Sequence, residues 1–306
     1  MNIPFIKYSK VWYTISSLTV LTCLVLIAMW RLKPGIDFTG GSLLEWSFSS
    51  DRPAQTEIAP LFQALNLKDT VVQGTGDQNG FIIRTNFLTE DQHQQVLAAA
   101  RSKFATQTNV LTEKQFQTIG AAVSQQLRQR ALWAVVAVNL GIIIYMAYAF
   151  RKVSRPVVSW KYGALAIVAL IHDVLLVLGV FAVLGHFWGV EVDIAFVVAL
   201  LTVLGYSVND TIVVYDRIRE HLLHRRNENF EEIVNSGLND TLMRSINTTL
   251  TVLLPLFALF FLGGETVHNF ALALLIGMAS GAYSSIFIAS PLLVLVEKLQ
   301  HRQAKA

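Results

Sequence analysis

Apolar residues fall along this chain in long uninterrupted runs, separated by short charged segments and by one long stretch of mixed pattern. Windows of about 18 or more apolar residues are long enough to cross a bilayer as helices. Six such runs stand out, at roughly 12–30, 131–150, 162–184, 194–214, 246–263 and 270–296, and the sixth is long enough to tilt or to run past the bilayer. Lys7 and Lys10 precede the first run, and MWRLKPG follows it instead of a small-x-small cleavage site, so it is expected to stay as an anchor.

Between the first two runs the period changes. SLLEWSF alternates as a strand, AQTEIAPLFQALNL repeats as a helix, and TVVQGTG and GFIIRTN form a strand pair around a glycine-containing turn. LTEDQHQQVLAAARSKF starts with a Thr-x-x-Asp-like cap before a helical period. EKQFQTIGAAVSQQLRQRAL then reads as a helix running straight into the second span, a mechanical link between outer domain and bundle. The order β-α-β-β-α suggests a ferredoxin-like α+β module. The expected fold is therefore a membrane protein: a six-helix α-helical transmembrane bundle with one inserted periplasmic α+β (ferredoxin-like) domain. Residues 1–30 form the first span with its short N-terminus, 31–130 the outer domain, 131–296 spans two to six with a cytoplasmic loop at about 215–245, and 297–306 a cytoplasmic tail. In that loop Asp216, Arg217, Arg219 and Glu220 read as a solvated helix extension, and EHLLHRRNENFEEIVNSGL as an interfacial amphipathic segment.

Composition sharpens this picture. The chain is 53% hydrophobic and 15% charged with a mean hydropathy of +0.49, and a soluble domain would carry about a quarter charged residues. The net charge of +3 does not point to nucleic acid, because Lys and Arg flank apolar runs instead of forming one basic face. They cluster at Lys7 and Lys10; at Arg151, Lys152, Arg155 and Lys161; at Arg217, Arg219, Arg225 and Arg226; and at Lys298 and Arg302. By the positive-inside rule these four segments are cytoplasmic, and six spans then place both termini there. Cys23, the only cysteine, lies in the first apolar run and allows no intrachain disulfide. The sequence holds no G-x-x-x-x-G-K loop, zinc spacing or nucleophile elbow, so no enzyme chemistry, cofactor or metal is expected. An ion gradient is the energy source left.

The candidate chemistry is polar residues at membrane depth. Asp173 in ALIHDVLLVLG and Asp210 in LLTVLGYSVNDTIVV both sit in apolar helices, where a central Asp costs about 2.5–3.5 kcal/mol on insertion scales. Asn209 doubles the polar burden beside Asp210. Counted from Asp193 at 1.5 Å per residue, Asp210 stands about 25 Å along its helix, so a helix-end role is the alternative reading. Arg244, Asn247, Thr248 and Thr251 recur at i, i+3, i+4 and i+7 and form one polar stripe that should face protein or water. His172 is open between packing and proton relay; it points about 100° from Asp173, so one of the two is expected in the polar seam. Gly277, Ser280, Gly281, Ser284 and Ser285 make a small-residue packing face. In PGIDFTGG, Gly35, Gly40 and Gly41 flank Asp37, Phe38 and Thr39 and supply the backbone freedom of a tight corner after the first span.

GIDFTGG, QTIGAAVSQQL, LIHDVLL, SVNDTIVVYDRIRE, RSINTTLTVLLPL and FALALLIGMASGAYSSIFIASPLL, in this order over nearly the whole chain, resemble the SecF side of the SecD/SecF family of bacterial protein-export membrane proteins. The chain departs at Gly120-Ala121, where the family often has Gly-Pro. The resemblance implies a six-span subunit of the inner membrane, a pseudo-symmetric SecD partner, and kinship with proton-driven pumps of the resistance-nodulation-division superfamily. It further implies use of the proton motive force to help unfolded preproteins leave the SecYEG channel, often with YajC. The coupling ion is the proton, with sodium as the alternative ion. The family's proton path maps onto Asp210, Arg244 and Thr248, with Asn209, Asn247 and Asp173 as further polar members. A small-molecule or lipid exporter subunit of the same superfamily is the alternative function.

Overall fold

The computed structural model describes residues 3–64, 67, 70–75, 79–106, 108–151, 157–225 and 228–303. Lys152, Arg155 and Arg226, counted among the expected positive segments, lie outside the described residues. In chain order the elements are α1 (Ser9–Trp30), α2 (Ile36–Thr39), β1 (Gly41–Phe48), α3 (Gln55–Gln63), β2 (Val71–Gly74), β3 (Gly80–Thr85), α4 (Glu90–Phe104), β4 (Leu111–Ile119) and α5 (Ala121–Ala149). They continue as α6 (Ser159–Trp188), α7 (Ile194–His224), α8 (Phe230–Leu262) and α9 (Glu265–Ser284), then a π turn over Ser285–Ala289 and α10 (Ser290–Gln303). Among the described residues six helical stretches are long and apolar enough to cross a membrane, α9 through α10 counting as one. The chain divides into two units, Pro34–Ala131 and Met1–Lys33 with Leu132–Ala306.

The unit Pro34–Ala131, the one expected as the outer domain and called the outer unit below, holds a four-stranded antiparallel sheet in the order β2-β3-β1-β4. Alternation in β1 sends Leu44, Trp46 and Phe48 into a core shared with Ile58 and Phe62 of α3, Phe81 and Ile83 of β3 and Val96 of α4. Each such large side chain, fully buried, contributes about 1.5–3 kcal/mol. The cap of α4 is a capping box in which Thr89 pairs with Gln92, a Thr-x-x-Gln where a Thr-x-x-Asp-like cap was expected. The larger correction is β4. The stretch expected as helix from about 115 is strand as far as Ile119, and helix begins only after Gly120. Glu, Lys and Gln lend it helical propensity, but Thr112, Phe116 and Thr118 alternate, and a backbone ladder to β1 from Gly41↔Ile119 to Phe48↔Leu111 outweighs propensity.

The corner before β1 needs its glycines. Gly40 and Gly41 have φ of 76° and 118°, and a Cβ on Gly41 would lie 2.6 Å from the Thr85 carbonyl oxygen. Gly35 precedes the single turn of α2, where Thr39 Oγ1 donates to its carbonyl at 3.1 Å. Asp37 is buried, and Phe38 is half-buried.

In the bundle unit, small residues bring helices together. A Cβ on Gly281 of α9 would come within 2.8 Å of Ser207 Cβ on α7, so the two helices meet nearly backbone to backbone, as small residues allow in membranes. The π turn precedes Pro291, whose missing N–H and ring break the ordinary i→i−4 pattern one turn earlier. Tyr215 of α7 donates to the Ala289 carbonyl there at 3.0 Å.

The expected loop at 215–245 is helical as far as His224 and again from Phe230. The described residues of the expected interfacial segment continue α7 and open α8, and Phe230, Ile233, Val234 and Leu238 are taken into the bundle core with Ile218. Across this hairpin Arg217 donates to Asp240 at 2.7 Å, and His221 stands 3.0 Å from the same carboxylate. Asn239 exchanges hydrogen bonds with the Ile3 backbone, and Lys298 pairs with Glu231. The α7–α8 turn and both ends of the described chain therefore lie at the same end of the bundle.

Candidate functional site

Two buried carboxylates on neighbouring helices occupy different surroundings. Asp173, midway along α6, is fully buried and all of its acceptor capacity is used. Its Oδ1 accepts from Ser280 at 2.6 Å and from His172 Nδ1 at 3.1 Å; its Oδ2 accepts from Ser207 at 2.6 Å and from Ser284 at 2.7 Å. One carboxylate thus ties α6, α7 and α9 together. Sequence reasoning had set His172 against Asp173 as alternatives for the seam. Both enter one polar cluster, with His172 Nδ1 3.1 Å from Asp173 Oδ1, and that cluster is separate from the surroundings of Asp210. Ser280 and Ser284 had been read as packing residues, and Ser207 had no assigned role. Their spacing of four puts both α9 hydroxyls on one face, and this was the available signal.

Asp210 of α7 is buried too but only half satisfied. Its Oδ1 accepts from Ser245 of α8 at 2.6 Å, while Oδ2 has no hydrogen-bond partner among the described residues. Ser285 of the π turn also faces this carboxylate and shares a 2.8 Å hydrogen bond with Thr211. Ser245 was not among the sequence candidates, although it stands next to Arg244. The reason is that α8 carries two polar stripes. Thr241, Ser245 and Thr249 recur every four residues on the buried face, and Tyr206 of α7 donates to Thr249 at 3.1 Å.

The predicted stripe of Arg244, Asn247, Thr248 and Thr251 is the other one, and in this chain all four are exposed, as is Asn209 on α7. Arg244 is within electrostatic reach of Asp210 but makes no ion pair with it, so the expected direct charge partnership is absent in this arrangement. Thr248 donates to the carbonyls of Arg244 at 2.8 Å and Ser245 at 3.0 Å, which leaves its hydroxyl free only to accept. The structure therefore brings Asp210 and Ser245 together, keeps Asp173 in a separate cage one turn away, and presents Asn209, Arg244, Asn247 and Thr248 outward. Gly35, Asp37, Phe38, Thr39, Gly40 and Gly41 belong to the outer unit and form its entry corner. The described residues hold no group of three or more His, Cys, Asp or Glu side chains placed to bind a metal.

Residues 99–299 match the C-terminal domain shared by the protein export membrane proteins SecD and SecF, and the protein translocase subunit SecF of Thermobaculum terrenum is 41% identical over 95% of this chain and 93% of its own length. The chain belongs to the SecF family. A second SecF relative, from Synechocystis, is 39% identical over 95% of this chain and 93% of its own. The crystal structure of SecDF, a translocon-associated membrane protein from Thermus thermophilus, superposes with a TM-score of 0.83 at 30% identity, covering 97% of this chain. A SecDF structure in a super-membrane-facing form gives 0.70 at 29% identity over the whole chain. This SecF-family chain spans 39% and 40% of those two SecDF chains.

Proposed function

We propose that this chain is the SecF-type half of a proton-driven protein-export device of the inner membrane, with both termini cytoplasmic and the outer unit in the periplasm. It pairs with a SecD subunit beside the SecYEG channel, with YajC associated, and helps unfolded preproteins leave on the far side. The observation that carries the reading is the half-satisfied carboxylate of Asp210. A buried carboxylate with one oxygen fixed by Ser245 and the other unpartnered can take up a proton without breaking its existing contact. A carboxylate with four donors, such as Asp173, takes up a proton only if one of its hydroxyl donors reverses.

The exposed polar stripe supports the SecD partner. Asn209, Arg244, Asn247 and Thr248 sit on membrane-spanning helices, where polar groups against hydrocarbon cost several kcal/mol unless protein covers them. In this reading SecD covers that face. Approach of the Arg244 guanidinium, which keeps its charge at any accessible pH, favours the ionised form of Asp210, and withdrawal favours the neutral form. The strand order β2-β3-β1-β4 with α3 and α4 is the reason to read the outer unit as a ferredoxin-like module.

The test is export from vesicles containing SecD and this chain, with proton and sodium gradients collapsed separately. Proton coupling requires loss of stimulation when only the proton gradient is removed. Asp210→Asn keeps the shape and removes titration, so it is expected to abolish gradient stimulation while leaving the complex assembled. Normal gradient-dependent export by Asp210→Asn would overturn the reading.

A further inference from the structure

The charge of Asp173 needs a counterpart that the polar seam around Asp210 does not supply. Of the four groups that donate to Asp173, three are serine hydroxyls, and only His172 can carry a positive charge. Burying a carboxylate without a cation is costly, and pairing it offsets that cost. His172 is itself buried, and its Nδ1 is occupied by Asp173. The side chain also lines a cavity of about 370 Å³, together with Thr19 of α1, Leu176 of α6, and Ser280 and Tyr283 of α9. The imidazole therefore stands between the caged carboxylate and an open, largely apolar space, in which the Thr19 hydroxyl is turned to the Ile15 carbonyl, that of Ser280 to Asp173 and that of Tyr283 to Ser16.

We propose that His172 is a second proton-binding group of the bundle, loaded from the cavity between α1, α6 and α9 and matched in its charged form by Asp173. In the loading step a hydronium in the cavity gives its proton to Nε2: an O–H bond breaks, an N–H bond forms and water remains. The groups facing His172 are Asp173 from its own helix, Ser280 and Tyr283 from α9, and Thr19 from α1. The Tyr283 ring lies 5.9 Å away and its hydroxyl is shared with Ser16 at 3.0 Å. Among the described residues no Lys or Arg lines this cavity. The charge state of His172 reaches Asp210 through Asp173 and Ser207, since Ser207 lies one turn before Asp210 on α7 and its carbonyl accepts from Thr211 at 3.2 Å.

The inference deepens the proton-coupled reading above and is tested apart from it. The full chain with its SecD partner in vesicles, labelled with ¹⁵N at the histidine rings, is titrated by NMR across about pH 5 to 8, the range in which histidine ordinarily changes charge. Among the signals of the seven histidines, one that titrates should vanish in His172→Gln, survive in Asp210→Asn and shift its midpoint in Asp173→Asn. In export assays His172→Lys, a fixed cation, should assemble with SecD and flatten the pH profile of gradient-driven export, whereas Asp210→Asn abolishes the drive altogether. A His172 ring that stays in one protonation state across the range, or a His172→Lys profile identical to that of the parent, overturns the proposal. If Asp210→Asn still couples export while His172 titrates, the reading of Asp210 fails and this one stands.

Discussion

Replacing Asp173 by leucine removes a side chain whose hydrogen bonds join three helices, α6, α7 and α9, and its cost can be worked out from its contacts. Four donors approach the carboxylate at 2.6, 2.6, 2.7 and 3.1 Å, and a hydrogen bond to a charged group is worth about 1.5–3 kcal/mol. A straight sum overshoots, because hydroxyls can turn to carbonyls of their own helices, and Ser284 already lies 3.2 Å from the Gly281 oxygen. Removing one partner of a buried charged cluster costs about 3–5 kcal/mol, and that is the expected loss for Asp173→Leu. Asp173→Asn keeps the shape and accepts two donors while two hydroxyls reverse to accept from its amide, so it should lose about 1–2 kcal/mol, the difference between charged and neutral hydrogen bonds. Denaturant unfolding of the SecD complex in mild detergent, followed by tryptophan fluorescence, reads both values. The order expected is parent, then Asn, then Leu; a Leu variant as stable as the parent would show that the cage does not hold the helices together.

Other consequences are as direct. Arg244→Lys keeps a cation but loses the planar fork, so it should impair gradient-driven export less than Arg244→Met; equal impairment would mean that charge is not what Arg244 provides. Thr89→Ala breaks the capping box of α4 and should cost about 1 kcal/mol, seen as faster hydrogen exchange at the Gln92 and His93 amides with α8 unchanged. Gly41→Ala places a Cβ where the Thr85 carbonyl stands 2.6 Å away, at a φ of 118°, and should destabilise the outer unit far more than Gly120→Ala, whose Cβ would meet only Phe87 at 3.9 Å.

The spans were legible because hydrocarbon thickness writes itself into sequence as uninterrupted apolar length, and all six runs are helices in the structure. Strand β4 was not legible. Its nine residues carry Glu, Lys and four further polar side chains that fit helix or strand alike, and only pairing with β1 decides between them. Asp210 and Asp173 announced themselves as isolated carboxylates in apolar runs. Their partners did not, since Ser207, Ser245, Ser280 and Ser284 look like ordinary small packing residues until a carboxylate from another helix is placed against them. The stripe through Arg244 was visible as a period, but the sequence does not say that this chain leaves it uncovered. The second stripe, through Ser245, was hidden by overlap with the first.

The distribution of contacts separates a rigid part of the bundle from a movable one. α6, α7 and α9 are joined by the Asp173 cage, and α7 and α9 also approach nearly backbone to backbone at Gly281, so sliding one against the other would break several short hydrogen bonds and open a packed seam. At membrane depth α8 meets α7, among the described residues, through two side-chain hydrogen bonds, Asp210 with Ser245 and Tyr206 with Thr249. One charge crossing 100 mV is worth about 2.3 kcal/mol, comparable with a single hydrogen bond to a charged group, so one proton is enough to exchange the Ser245 contact but not to dismantle the cage. Motion driven at Asp210 should accordingly leave α7 fixed to the π turn. Thr211 and Ser285, whose hydroxyls are 2.8 Å apart across that seam, are close enough to be replaced by a cysteine pair. Cross-linking Thr211→Cys to Ser285→Cys should leave gradient-driven export at the level of the reduced variant. Export that stops on oxidation and returns on reduction would show that α7 and the π turn must part during the cycle, and the rigid unit would have to be drawn elsewhere.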